Sequence, residues 1–305
     1  MPSTPRPRSP FVAALLALFC NGLGHAYAGA IGAAGAIALL WLAICAAWLA
    51  SLGAGLRATI AVGLGALAVW VGQAVLAARS ARRAGEAPRR WFSRPLGLVA
   101  FYAATLLLWW GVHSALRPYA ARAYEMPSGS MVPTLRPGDW FIAAPRGAVE
   151  RGAVVVHEAP RGAPHQDPLV KRVVAIAGDT VEVRDGLLVL NGRPVERRRV
   201  AGPCTYENRT GDGRWSEERC IEYVEEIDGR AYRTYCTPYV PCGDVDPRKV
   251  PPGHVFVLGD HRDHSADSRV YGPIPESMIL GRASYVYFSV GPAGVRWERV
   301  GRPLR

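Results

Sequence analysis

Met126-Pro127-Ser128-Gly129-Ser130-Met131-Val132-Pro133-Thr134-Leu135, followed by the turn Pro137-Gly138-Asp139, divides this chain into two halves of different character. Pro127 and Pro133 stiffen both flanks and forbid a helix across the stretch, while Gly129 lets backbone approach a bound carbonyl closely. The result is a loop that can present one hydroxyl, Ser130, with a second, Ser128, two positions away. So short a pattern also describes an ordinary Ser/Gly/Pro surface turn, so its meaning depends on what lies on either side.

Upstream the chain is apolar. Stretches at 11–28, 30–50, 56–78 and 96–116 follow one another, the first broken by Asn21, Gly22, Gly24 and His25. The last three are each long enough for a bilayer core, which takes about 20 residues. Six arginines against Glu86 lie between Arg79 and Arg94, and Arg6 and Arg8 precede the first stretch. The positive-inside rule places both segments in the cytoplasm, which calls for three spans, with 1–28 a basic tail and an interfacial or re-entrant segment. Four spans with an exported terminus is the alternative. The basic linker at 79–95 then faces the cytoplasm and everything from 117 to 305 lies outside. The net charge of +11 belongs mostly to the apolar half, where nine arginines face one acid, so it does not argue for nucleic acid.

Downstream, short Val-rich runs at 140–143, 153–157, 169–176, 180–184, 187–190, 255–258 and 284–289 alternate with Gly and Pro, the pattern of a mostly-β domain. Between about 195 and 250 the chain turns polar, with charge runs Arg197-Arg198-Arg199, Glu217-Glu218 and Glu225-Glu226 that read as solvated faces of an inserted β-rich subdomain. Cys204, Cys220, Cys236 and Cys242 fall on the exported side, where an even number suggests disulfides. Three pairings are possible; 204 with 220 and 236 with 242 are the local ones. A zinc site would want a C-x-x-C spacing that is absent, and His261 with His264 has no third ligand in view, so no metal is expected. Trp140 and Phe141 suit either a lipid interface or the core.

Only Lys171 and Lys249 among the 36 basic residues are lysines. Lys171 lies in the apolar run Leu169-Val170-Lys171-Arg172-Val173-Val174-Ala175-Ile176, before Gly178-Asp179. Arginine keeps its proton at any working pH, whereas a fully buried lysine can fall from ~10.4 to ~5–6 and serve as a general base. A third stretch, Val255 to Arg269, runs from a buried-strand pattern into a loop of alternating charges. Such ion pairs serve better to hold a neighbouring group in place than to stabilise the fold.

Together the three stretches, with Gly272 to Arg282 and the preceding membrane anchor, resemble bacterial type I signal peptidases, the leader peptidases. The resemblance implies a signal-peptidase/LexA-like β fold and hydrolysis of a peptide bond by Ser130 as nucleophile and Lys171 as general base. It further implies an oxyanion hole from the Ser128 hydroxyl and the Ser130 amide, Ser265 orienting the amine, an Asp267–Arg269 ion pair, and Asp260 with Arg262 bracing the same loop. Shallow substrate pockets would be lined by Met126, Pro127, Met131, Leu135 and Leu169. No cofactor is needed. The partners implied are secretory precursors with small residues before the cut, and the lipid bilayer, with catalysis on the outer side of the bacterial cytoplasmic membrane. The family usually carries asparagine where this chain has His261 and His264. Three rivals remain: a Ser/His hydrolase using His261 or His264 with Asp267, a self-cleaving regulator of the LexA type, which would want a DNA-binding module, and a non-catalytic membrane-anchored assembly or binding factor.

Overall fold

In the computed structural model, residues 7–87, 90–116, 120–145, 149–163, 166–184, 186–210, 212–240 and 242–304 are described; Arg6, Arg89 and Arg117 lie outside them. Two compact units divide the chain, Met1–Ala120 and Ala121–Arg305.

The first unit is helical. α1 (Pro10–Phe19) opens on Pro10, with the Ser9 side chain accepting from the Val12 amide. Asn21 and Gly22 break the chain before α2 (Leu23–Tyr27), and Gly22 there adopts a left-handed φ of 86°. α3 (Ile31–Ala54), α4 (Leu56–Ala84) and α5 (Pro95–Leu116) are long and apolar enough to cross a membrane; α1, with 10 residues, is not. α1 instead packs Ala13 and Ala17 against Ala74, Ala77 and Ala81 of α4. Gln73 of α4 ties off the helix break, donating to the Ala17 carbonyl (2.9 Å) and the Asn21 side chain (3.1 Å). Leu39, Leu64, Leu67, Val71, Val99, Leu107 and Trp110 are exposed on the three long helices, apolar surface that water would not tolerate and lipid would.

The second unit is built from antiparallel strands. β1 (Arg122–Met126) pairs with β2 (Asp139–Ala144). After these come β3 (Val154–His157), β4 (Leu169–Ile176), β5 (Thr180–Arg184), β6 (Leu187–Leu190), β7 (Arg193–Pro194), β8 (Glu196–Arg199), β9 (Thr205–Arg209) and β10 (Trp215–Arg219). β11 (Ile221–Ile227), β12 (Arg230–Cys236), β13 (Val245–Lys249), β14 (His254–Leu258), the short α6 (Ser268–Tyr271), β15 (Ile274–Pro275), β16 (Ile279–Gly291) and β17 (Gly294–Val295) complete the unit. The main sheet runs β1-β2-β16-β3-β4-β14-β15, with β17 on β16. Around it stand a sheet in the order β13-β5-β6-β7, a sheet β12-β11-β8 and the hairpin β9-β10.

The stretch expected as an inserted subdomain is β-rich, but it does not keep a core of its own. Val195, Ile227, Tyr232, Val245 and Val250 pack in one cluster with Val174, Phe256 and Leu258 of the main sheet. One of its charge runs is also not a solvated face. Strand alternation turns Glu225 inward, to 1% exposure, and Glu226 outward. Of the two aromatic candidates for a lipid interface, Phe141 is a core residue stacked on Tyr124 and Trp140 is exposed. The disulfides are the two local ones, Cys204–Cys220 across the base of the β9-β10 hairpin and Cys236–Cys242 after β12.

Candidate active site

The loop between β1 and β2 is fastened at both ends before any chemistry is considered. Met126 pairs with Asp139, and the Gly138 amide donates to the Met126 carbonyl at 2.9 Å. Met126, Met131 and Leu135 are buried with Phe141, Val154, Val156, Val170 and Val286, so the loop is nailed into the core from below. This corrects the expectation that they line an open pocket: Met131 and Leu135 have no exposed surface, and they support the loop rather than offer a wall to a ligand. Pro127 is exposed and Leu169 half-buried, so these two do face outward. The far end of the loop is held by Asp139, which accepts from the Arg136 amide (2.8 Å), from Ser289 (2.6 Å) and from the Arg299 guanidinium (2.8 Å).

Ser130 sits in this loop with its side chain largely buried and its carbonyl accepting from the His261 amide at 3.1 Å. Its Oγ lies 3.1 Å from Lys171 Nζ and 3.3 Å from the Ser128 hydroxyl. Lys171 is the third residue of β4, with Val155 as its cross-strand partner and Val173 next on the same face, both buried. Nζ donates to the Val170 carbonyl at 2.9 Å. Burial lowers the pKa of this amine to about 8, with Asp267 and Asp260 pulling it up and Arg269 pulling it down. That is less than the fall expected of a fully buried lysine, because two carboxylates are close enough to favour its charged form.

Period-two alternation turns the next residue, Arg172, to the opposite face. It is 1% exposed and forms a bidentate pair with Asp260, Nε to Oδ1 at 2.8 Å and Nη2 to Oδ2 at 2.7 Å. Asp260 also accepts from Thr134 at 2.5 Å, so a single carboxylate joins the serine loop, the lysine strand and the turn after β14. Asp260 and Arg262 thus brace the loop through different partners: Arg262 reaches Glu225 with both terminal nitrogens, at 2.7 and 2.6 Å. Asp267 pairs with Arg269 at 2.8 and 2.7 Å and accepts from the Gly259 amide at 2.9 Å.

Ser265 lies against Gly259 without bonding to the amine. Its Oγ is buried and makes no hydrogen bond, to Lys171 or to any other described residue. A Cβ on Gly259 would stand 2.2 Å from that oxygen and 2.6 Å from the Ser130 carbonyl, so only glycine lets these segments close on one another. His261 is fully buried, its ring edge-on to Tyr206 at 4.9 Å between centroids, and burial lowers its pKa to about 4. His264 is exposed, 5.2 Å from the His261 ring. The amine at the Ser130 hydroxyl is that of Lys171.

Several residues of this framework were not singled out by sequence: Thr134, Arg172, Glu225, Gly259 as a close-approach glycine, and the Asp139–Arg299 clamp. The hairpin β9-β10 also covers the loop, its Tyr206 and Cys220 packing on Val132.

The pattern of the signal peptidase family, peptidase S26, matches residues 98–288. The chain belongs to that family. Among signal peptidases, the probable signal peptidase I-1 of Synechocystis sp. is 29% identical over 216 residues, covering 68% of this chain and 85% of that protein. The signal peptidase I of Aquifex aeolicus is 30% identical over 213 residues, 57% of this chain and 78% of that protein. A chloroplast member, thylakoidal processing peptidase 1 of Arabidopsis thaliana, is 31% identical over 188 residues, covering 56% of this chain and 43% of that protein. Like the signal peptidases it resembles, the chain is a membrane-bound serine endopeptidase, a hydrolase.

Proposed function

We propose that this endopeptidase cuts signal peptides from secretory precursors with Ser130 as nucleophile and Lys171 as general base, on the outer face of the cytoplasmic membrane. The observation that carries the assignment is the 3.1 Å contact between a buried, pKa-lowered amine and a hydroxyl on a fastened loop. Neutral Lys171 takes the Ser130 proton as Oγ attacks the scissile carbonyl carbon. The Ser128 hydroxyl, 3.3 Å from Oγ, and the Ser130 amide are the donors for the oxyanion. The lysine then protonates the leaving amine and activates the water that opens the acyl-enzyme. Substrate adds as an extended strand beside β1 and the start of β4, where Pro127 and Leu169 face outward.

Three spans, α3, α4 and α5, with the arginine-rich 79–95 segment in the cytoplasm, put the β unit outside. Along the chain only residues 117–121 separate the last span from β1, which suits a bond just beyond an apolar segment of substrate. The test is cleavage of a synthetic precursor by the full chain in detergent. Wild type should cut it and Ser130→Ala should not, at any enzyme concentration that keeps the wild type in turnover. Cleavage by the Ser130→Ala protein would end the proposal.

A further inference from the structure

A second charged site lies in the helical unit and shares no residue with the Ser130 site. A cavity of about 460 Å³ opens among Arg8 ahead of α1, Ser80 and Arg83 near the end of α4, Arg90 ahead of α5, and the Ala28-Gly29-Ala30 turn ahead of α3. Among the described residues its lining holds three arginines and no acid. Arg8 is built in rather than draped over the rim: it is 6% exposed, and its Nη1 donates to the Ala28 carbonyl at 2.7 Å. Gly29, at a left-handed φ of 86°, makes room for it; a Cβ there would stand 2.7 Å from that same Nη1. The turn leads directly into the 24-residue helix α3, whose first amides add partial positive charge on the same side.

We propose that this cavity binds a phosphate group, that of an anionic phospholipid headgroup. Arginine matches phosphate oxygens with paired donors in a fixed plane. The Ser80 hydroxyl donates to the Leu76 carbonyl at 2.9 Å and keeps its lone pairs for a glycerol hydroxyl of the headgroup. The source follows from where the cavity opens. It lies at the ends of α4 and α5 that meet at the 79–95 linker, the level at which headgroups stand if these helices span a bilayer, so this step rests on the membrane reading above. A basic pocket between membrane helices on the cytoplasmic side is a geometry suited to anionic headgroups.

The test uses the full chain in detergent, with phosphatidylglycerol, phosphatidylcholine and inorganic phosphate as probes. Lipid retention is read by native mass spectrometry for wild type, for the double variant Arg83→Gln/Arg90→Gln, which leaves the buried Arg8 in place, and for Arg57→Gln as a control outside the cavity. Phosphatidylglycerol should be retained over phosphatidylcholine, the double variant should bind it about 30-fold more weakly, and Arg57→Gln should bind it as wild type does. Equal retention of the two lipids, or no loss in the double variant, overturns the proposal. Inorganic phosphate that binds at the same arginines and displaces the lipid at millimolar concentration would keep the phosphate site but overturn the lipid as its occupant. Carbonate extraction of the same variants from membranes separates the two ideas: a chain that stays in the pellet but shows no lipid preference refutes the site alone. One released to the supernatant refutes the membrane reading. Precursor cleavage should be unchanged in the double variant, since no residue of the Ser130 site is altered.

Discussion

Replacing Lys171 by methionine should abolish cleavage and make the β unit more stable. The two effects come from one cause. Holding the amine in an apolar setting lowers its pKa from 10.5 to about 8, which at ~1.4 kcal/mol per tenfold costs the fold about 3 kcal/mol wherever both states are protonated. Methionine fills a similar volume without the charge, but it leaves the Val170 carbonyl without its 2.9 Å donor, a loss of ~1 kcal/mol. The net gain is about 2 kcal/mol at pH 7. The sign of its pH dependence follows from proton counting. Below about pH 8 the folded and unfolded chains both carry the lysine proton and the cost is constant; between about 8 and 10.5 only the unfolded chain carries it, so wild type gains stability relative to the variant as pH rises. Pulse proteolysis of the full chain in detergent, followed on fragments of the β unit, measures the gap. It should be open at pH 7 and close above pH 8. A variant no more stable than wild type at pH 7, with a gap that stays flat up to pH 10, would mean that the amine is not desolvated, and the argument for a buried base would fail.

Four further outcomes follow from the same geometry. With an amine pKa of about 8, kcat/KM for a peptide substrate should rise about tenfold per pH unit below that value and level off above it; a flat profile from pH 6 to 9 would exclude Lys171 as the base. Arg269→Met leaves Asp267 without its neutralising partner, so the same knee should move to higher pH, and a knee that stays put or falls would contradict the charge balance described here. Gly259→Ala forces a Cβ to 2.6 Å from the Ser130 carbonyl; a displacement of this kind should cost on the order of 100-fold in kcat/KM, and full activity would show that the close approach is dispensable. Asp260→Asn strands the buried Arg172 charge and should lower stability by about 3–5 kcal/mol, checked by the same proteolysis assay; a loss under 1 kcal/mol would mean that water reaches the pair.

Much of this was legible in the sequence because it is local. The strand pattern of the β unit, the three long apolar segments and the positions of the serine and lysine all depend on neighbours within a few residues. The disulfide pairs were open among three pairings, and the local pair is the one the structure forms. What could not be read was the partnering of charges across the fold. Asp260 and Arg262 lie two apart and carry opposite charge, which invites a local pairing, yet Asp260 reaches back 88 residues to Arg172 and Arg262 reaches 37 to Glu225. Arg172 stood unremarked beside the lysine because a charge within an apolar run reads as a strand edge until its counter-ion is known. Glu225 belongs to an acidic pair whose charge reads, from sequence, as a solvated face. Knowing only that β11 is a strand, one of the two glutamates had to point inward, but which one depends on a register that sequence does not state. Met131 and Leu135 failed in a related way: apolar residues beside a nucleophile suit a pocket wall and a pocket foundation equally well.

These long-range pairs bear on why the amine is soft enough to act as a base. Both carboxylates that bear on Lys171 would, left alone, hold its proton in place. Each already has a partner: Asp260 has Arg172 and Thr134, and Asp267 has Arg269 and the Gly259 amide. Both carboxylates still raise the amine's pKa, Arg269 offsets part of that pull, and desolvation is left as the largest influence. Arginine suits that supporting role because it does not lose its proton, so the neutralisation holds at every pH at which the enzyme works. An arginine at 171 could never release a proton to become a base, and a lysine at 172 could compete with its neighbour for neutrality. The order Lys171-Arg172 on one strand, each side chain on its own face, gives the site one cation that can titrate beside one that cannot.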